Sequence, residues 1–146
     1  SRVYIPIIIT LEQSTKYLEE ASFLAPCSGK VASITVRPHI LSNTSDATVT
    51  VGIETLALNL SATSVSYTSE ESKTHTMQGA DDYHAFHYQF DNAKHFDPGD
   101  LVVLFIDSDI APDSGPYTMY WYVTTVIEYD WNNQGFTAHQ EYDSAP

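Results

Sequence analysis

The chain has 146 residues, and six lysines and arginines against nineteen aspartates and glutamates give it a formal net charge of −13 at pH 7. This length suits one domain, and 42% hydrophobic residues are enough to build a core. Such a charge repels phosphate backbones and anionic lipid surfaces, so we expect neither nucleic-acid binding nor membrane binding. The single cysteine, Cys27, excludes an intramolecular disulfide and a cysteine-based zinc site.

The N-terminal segment, residues 1–11, is apolar and rich in β-branched residues. Its prominent side chains belong to Val3, Tyr4, Ile5 and Ile7. This composition predicts either a strand within the domain's own sheet or an arm that docks on a neighbouring subunit, and the strand is favoured.

Alternating side chains predict the next strands along the chain. In residues 32–37 and 47–54, small or β-branched apolar residues alternate with polar ones, and Pro38 is predicted to end the first of these strands. Residues 69–72 are polar and are predicted to form a loop. In residues 84–90 the even-numbered positions, which are mostly aromatic, share one face of a further strand.

Two apolar segments follow in the last third of the chain. Leu101–Asp107 is apolar on both faces, which predicts a central strand that is covered on both sides. Tyr117–Tyr129 carries aromatic residues on both faces, so we expect one face against the core and the other against a second surface, such as another subunit. Between these segments and the earlier ones lie regular turn signals, including Asp97–Asp100, where Pro and Gly occupy the central positions of a type II turn.

About eight short strands with regular turns predict an all-β protein. We expect a single β-sandwich domain over residues 1–146, of jelly-roll type and with antiparallel strands. An immunoglobulin-like sandwich remains open as an alternative. Residues 131–146 are polar towards their end and are predicted to be a C-terminal extension.

Motifs for metal binding and catalysis are scarce. His84 and His87 are three residues apart, which places them on opposite faces of a strand. The acidic stretch Asp107–Asp113 begins like a calcium loop, but Ala111 and Thr118 stand where an EF-hand needs ligands, so only a noncanonical calcium site stays open. The sequence contains no nucleophile motif and no phosphate-binding glycine loop, and we therefore expect no enzyme activity, no catalytic or metal-binding residues and no cofactor.

Aromatic residues crowd into the last thirty positions and are the more informative feature. Tyr120, Trp121, Tyr122 and Trp131 are candidate interface residues, together with the apolar side chains of the N-terminal segment. The alternative is that the exposed rings stack on sugars. We favour the interface, because aromatic residues on both faces of one strand need cover on both sides.

Two segments together resemble a known class of proteins. Phe23–Arg37 contains Ala-Pro, Gly and an alternating strand, and Phe90–Asp107 contains Phe-Asp-Pro-Gly-Asp followed by a buried strand. This pattern resembles small virion structural proteins of tailed phages, notably marine and cyanobacterial phages. The resemblance implies a jelly-roll scaffold that is used for capsid decoration or for tail and receptor-binding parts, and it brings no catalytic residues.

From this resemblance we expect a non-enzymatic capsid decoration (cement) protein on the surface of the virion. Its partner would be the major capsid protein, and it would act as a homo-oligomer, with a trimer favoured. The alternative is a carbohydrate-binding module in a tail fibre or receptor-binding protein.

Overall fold

The computed structural model describes residues 2–5, 22–40, 46–57, 66–78, 83–108 and 119–134. These ranges contain eight strands, and every pairing between them is antiparallel. The strands are β1 (Arg2–Ile5), β2 (Ser22–Leu24), β3 (Cys27–Ile40), β4 (Ala47–Leu56), β5 (Thr68–Met77), β6 (Phe86–Gln89), β7 (Leu101–Ser108) and β8 (Met119–Gln134). The predicted all-β class is confirmed. Within the described ranges there is no helix long and apolar enough to span a bilayer.

The strands form two sheets that enclose one core, which is the predicted β-sandwich. The five-stranded sheet has the order β1-β7-β4-β5, and β2 follows β1 along the same side of β7. The three-stranded sheet has the order β6-β3-β8. Because β3 pairs with β8 in one sheet and β4 pairs with β7 in the other, the two pairs are nested along the chain. This nesting is compatible with the predicted jelly-roll type.

The core lies between the sheets and follows the predicted alternation. In β4 the side chains of Val49, Val51 and Ile53 are fully buried. They pack in one cluster with apolar residues of β3, β6 and β7. Each fully buried aliphatic side chain of this size stabilises the fold by about 1.5–3 kcal/mol, so the alternating face accounts for much of the stability.

Strand β7 is central in the larger sheet, as predicted from its apolar faces. Val102, Leu104 and Ile106 point into the core, and Val103 and Phe105 on the opposite face are also buried. On that opposite face, a side chain at Gly52 of β4 would collide with the ring of Phe105. The missing Cβ therefore makes room for this ring.

The prediction that Pro38 ends β3 is wrong, because the strand continues to Ile40. The carbonyl oxygens of Ala32 and Pro38 accept hydrogen bonds from Phe90 and Tyr83, on the side of β3 that faces away from β8. In an antiparallel strand the nitrogen of a residue points to the same side as its carbonyl oxygen. The missing N–H of Pro38 is therefore on the side where β6 has already ended, and no ladder hydrogen bond is lost.

The prediction of a loop over residues 69–72 is also wrong. These residues belong to β5, which pairs with β4 along its whole length. The alternation of β5 is one of Ser and Thr with Glu, Lys and His rather than of apolar with polar residues, so it produces no hydrophobic signal. Its extended conformation depends on backbone pairing with β4.

One further prediction differs from the structure and another is confirmed. Strand β8 runs on through Trp131 to Gln134, so the first four residues of the predicted C-terminal extension belong to the sandwich. At Asp97–Asp100 the type II turn is confirmed, with Gly99 at a φ of 87° and the amide of Asp100 donating to the carbonyl of Asp97 at 3.1 Å.

Candidate functional site

Strand β8 carries four of the eight predicted interface residues, and its two faces differ. The side chains of Trp121, Val123, Ile127 and Tyr129 point inward and pack against the core. On the outer face, Tyr122 is 57% exposed and Val126 is 49% exposed. The alternation along β8 therefore presents a large aromatic and a large aliphatic side chain to solvent.

One side of β8 has no strand partner among the described residues. The strand pairs with β3 over Cys27–Ile40, and β3 in turn lies next to β6. Thr35 of β3 is opposite Thr124, and Pro38 is opposite Trp121. The backbone nitrogen and oxygen of Pro38 point away from β8, so the N–H and C=O groups of the odd-numbered residues beside it point towards β8. Across this pairing, the amides of Trp121, Val123 and Thr125 point to the side away from β3. We call this side the open edge of β8.

A bulge near the end of β8 determines where Trp131 lies. Gly29 is opposite Tyr129 but Cys27 is opposite Gln134, so β8 contains three more residues than β3 over this stretch. The amide of Asn132 donates to the Asp130 carboxylate at 3.1 Å, which stabilises the extra turn. Bulges redirect side chains, and Trp131 is 61% exposed even though it has the inward parity.

An aromatic row connects this exposed ring with the core. The ring centroid of Phe96 lies 5.7 Å from that of Phe23 and 6.1 Å from that of Tyr129, and the Tyr129 and Trp131 centroids are 5.4 Å apart. The row passes over Gly29, where an added Cβ would meet the Phe96 ring at 2.9 Å. The exposed Trp131 ring therefore packs against Tyr129, which in turn packs against Phe96.

The other predicted interface residues are placed less completely. Val3, Tyr4 and Ile5 form β1, which pairs with β7 at the edge of the larger sheet, and only their backbone is described. Tyr120 is likewise described by its backbone in β8, and Ile7 lies outside the described residues. The structure therefore brings Trp121, Tyr122 and Trp131 together on one strand, with Trp121 turned towards the core.

A partly buried polar cluster, which the sequence did not indicate, joins the two sheets. Glu71 of β5 accepts hydrogen bonds from the amides of Asp91 (2.9 Å) and Asn92 (3.1 Å) and from Nε2 of His95 (2.7 Å). Nδ1 of His95 accepts a hydrogen bond from the amide of Val31 at 3.1 Å. Because Nδ1 is the acceptor, the proton of the neutral ring is on Nε2 and is donated to Glu71. We call Glu71 and its three donors the Glu71 cluster.

The electrostatics of the Glu71 cluster favour a charged carboxylate. Burial raises the pKa of Glu71, but the hydrogen bonds from Asp91, His95 and Asn92 outweigh it and lower the pKa from 4.5 to about 2. Lys73 adds a further contact at 3.5 Å and also binds Asp91 at 2.6 Å. The His95 side chain has no exposed surface, and both ring nitrogens are bonded within the protein. These hydrogen bonds connect β5 with the loop that follows β6, and His95 of that loop with β3.

In the Asp97–Asp100 turn, both aspartate carboxylates accept hydrogen bonds from neighbouring groups of the protein. Asp100 receives the amide of Asp97 on its carboxylate at 2.8 Å, and Asp97 in turn binds Lys94 (2.8 Å) and Ser28 (3.2 Å). Within the described ranges no group of three His, Cys, Asp or Glu side chains is arranged to hold a metal ion. Most of the Asp107–Asp113 stretch lies outside these ranges.

Comparisons of the chain with protein-family profiles, with curated proteins and with solved structures gave no match.

Proposed function

We propose that the chain is a non-enzymatic structural protein of a tailed-phage particle, a capsid decoration protein that binds the major capsid protein at the capsid surface as a homo-oligomer. The observation that supports an assembly role is β8, which combines an open edge with exposed Tyr122 and Val126. A long strand with an unpaired side is a template for pairing with another chain. The phage particle and the number three rest on the sequence resemblance.

The occupant that we propose for the open edge is another copy of this chain. Copies that carry −13 each repel one another over most of their surface. The nine residues Met119–Ile127 contain no charged side chain, so they form a stretch where two copies can approach closely. Strand pairing at this edge leaves both faces of the three-stranded sheet in place.

The rest of the molecule suits a protein that stabilises a shell. The two sheets share one core, and the Glu71 cluster ties them together, so the scaffold is rigid. Among the described residues, exposed acidic side chains lie in the loop that follows β6 (Asp91 and Asp97) and on β8 (Glu128 and Asp130), where they discourage nonspecific aggregation. Attachment to the shell is then expected through the apolar strands rather than through the acidic turns.

The first experiment tests self-association through the open edge. A Thr125→Pro variant removes an amide that points away from β3, so the internal ladder keeps its hydrogen bonds, as it does at Pro38. The matched control is Gln89→Pro at the other edge of the same sheet, with circular dichroism as the check on folding. In light scattering we expect an oligomer for wild type and the control and a monomer for Thr125→Pro.

The second experiment tests capsid binding. Wild type is mixed with expanded shells of purified major capsid protein and sedimented. Co-sedimentation that saturates at a fixed ratio supports the proposal. A monomeric wild type that does not sediment with shells refutes it.

A carbohydrate-binding module of a tail fibre is the second candidate. The exposure of Trp131, whose ring packs against Tyr129, favours this candidate, because exposed rings stack on sugars. A Trp131→Ala variant should then lose binding on a glycan array and keep its stability. An array without any signal for wild type would remove this candidate.

A further inference from the structure

The outer face of the three-stranded sheet carries a group of polar side chains that the assembly role does not use. His87 on β6 is opposite Thr35 on β3, which is opposite Thr124 on β8. One row further along, Arg37 is opposite Tyr122. Neighbouring strands are about 4.8 Å apart and alternate residues about 7 Å apart. The five side chains therefore share a patch roughly 10 Å by 7 Å, which we call the Arg37 patch.

Arg37 is held in place by one hydrogen bond, and its terminal nitrogens have no carboxylate partner among the described residues. Its Nε donates to the carbonyl oxygen of Tyr83 at 2.9 Å, which fixes the plane of the guanidinium. Among the described ranges, the other cations with described side chains each have a carboxylate partner: Lys30 with Glu128, Lys73 with Asp91 and Lys94 with Asp97. In the same ranges Arg37 has no carboxylate partner. Its two terminal nitrogens therefore form an exposed fork of the kind that binds carboxylates at two points.

The neighbours of Arg37 are arranged to bind a polar ligand. Nδ1 of His87 and the hydroxyl of Thr35 are 2.8 Å apart, so they hold each other and leave Nε2 of His87 for an external contact. The exposed ring of Tyr122 lies across from Arg37 and offers a flat apolar surface. Thr124, also exposed, adds a hydroxyl. Hydrogen-bonding groups around one aromatic ring suit a sugar better than an apolar protein surface.

The charge of the chain limits the ligand further. An overall charge of −13 repels a densely charged polyanion, while the Debye length of about 8 Å at physiological salt screens most of the distant carboxylates from this patch. One carboxylate can therefore be bound at Arg37, whereas a run of phosphates or sulfates is repelled.

We propose that the Arg37 patch binds a sugar that carries a single carboxylate, such as a uronic acid. The fork of Arg37 binds the carboxylate, the Tyr122 ring packs against the sugar ring, and His87 and Thr124 bind hydroxyl groups. This site shares Tyr122 with the surface proposed for assembly, but strand pairing at the open edge leaves the outer face accessible to a sugar.

The test compares methyl glucuronide with methyl glucoside, which differ in the carboxylate. Each is titrated into the ¹⁵N-labelled protein and followed by amide shifts. We expect saturable shifts at β3, β6 and β8, and about tenfold to a hundredfold tighter binding of the glucuronide, the range for a charge-assisted hydrogen bond. Equal affinity for the two sugars, no binding of either, or shifts confined to the surroundings of Trp131 would overturn the proposal.

Variants assign the roles within the patch. Arg37→Gln should abolish the preference for glucuronide and leave the affinity for glucoside unchanged, and Arg37→Lys should keep part of the preference because it keeps the charge without the fork. Tyr122→Ala should weaken both sugars alike. Lys94→Gln, which removes a cation on a distant loop, is the control and should change nothing. Unaltered capsid binding by Arg37→Gln would show that the two proposals stand or fall separately.

Discussion

Replacing Glu71 by Gln should cost the protein a large part of its stability at neutral pH. The carboxylate accepts three hydrogen bonds, two of them from backbone amides that bind different oxygens. Gln keeps only one of these acceptors, and its NH₂ group is a donor that would face another donor. The pKa of Glu71 falls from 4.5 to about 2, and about 1.36 kcal/mol for each unit of this shift sums to at most about 3 kcal/mol. For a chain of this size that corresponds to a fall in Tm of about 6–12 °C.

The pH dependence of this loss has a definite sign. Because folding lowers the pKa of Glu71, its contribution is complete above pH 4.5 and disappears as the pH falls towards 2. Urea denaturation of wild type and Glu71→Gln should therefore give free energies of unfolding that differ most at pH 7 and converge below pH 3. Glu128→Gln is the control, since its exposed pair with Lys30 is worth at most about 1 kcal/mol. A Glu71→Gln difference under about 0.5 kcal/mol, or one that does not change with pH, would refute the reasoning.

Two further predictions concern the packing around this cluster. ¹⁵N NMR of the His95 ring should show a proton on Nε2 and none on Nδ1, and a proton on Nδ1 alone would contradict the hydrogen bond to Glu71. Gly29→Ala should destabilise the fold by several kcal/mol, because the new methyl group would meet the Phe96 ring and a backbone oxygen. Gly99→Ala, at a positive φ in the Asp97–Asp100 turn, should cost only about 1–2 kcal/mol, and equal losses in thermal unfolding would argue against the collision at Gly29.

The role of β8 separates two uses of aromatic residues. Trp121 and Tyr129 complete the core, whereas Tyr122 and Trp131 remain at the surface. The sequence predicted this division for the strand and named Trp131 as a candidate surface residue, but it did not supply the reason for the exposure of Trp131. The bulge at Asp130 decides that position, and it depends on the way β8 pairs with β3.

The candidate site was predictable only in part. Tyr122 and Trp131 were predicted as interface residues because aromatic residues crowd into the last thirty positions of the chain. Arg37 did not stand out, since its importance depends on which other cations find carboxylates and on what lies opposite it in β8. Both depend on how the strands pair and in which register, which the sequence of a single strand does not specify.

By itself, the sequence determined that most of the chain forms strands and, where apolar and polar residues alternate as at Val49, Val51 and Ile53, which side of the strand is buried. This information is local, because alternate residues of a strand always point to the same face. Only the tertiary structure decided that the polar residues 69–72 form a strand, that Pro38 lies within one, and that Glu71 and His95 meet. Each of these depends on a partner that is distant along the chain: β4 for β5, the end of β6 for Pro38, and the loop after β6 for Glu71.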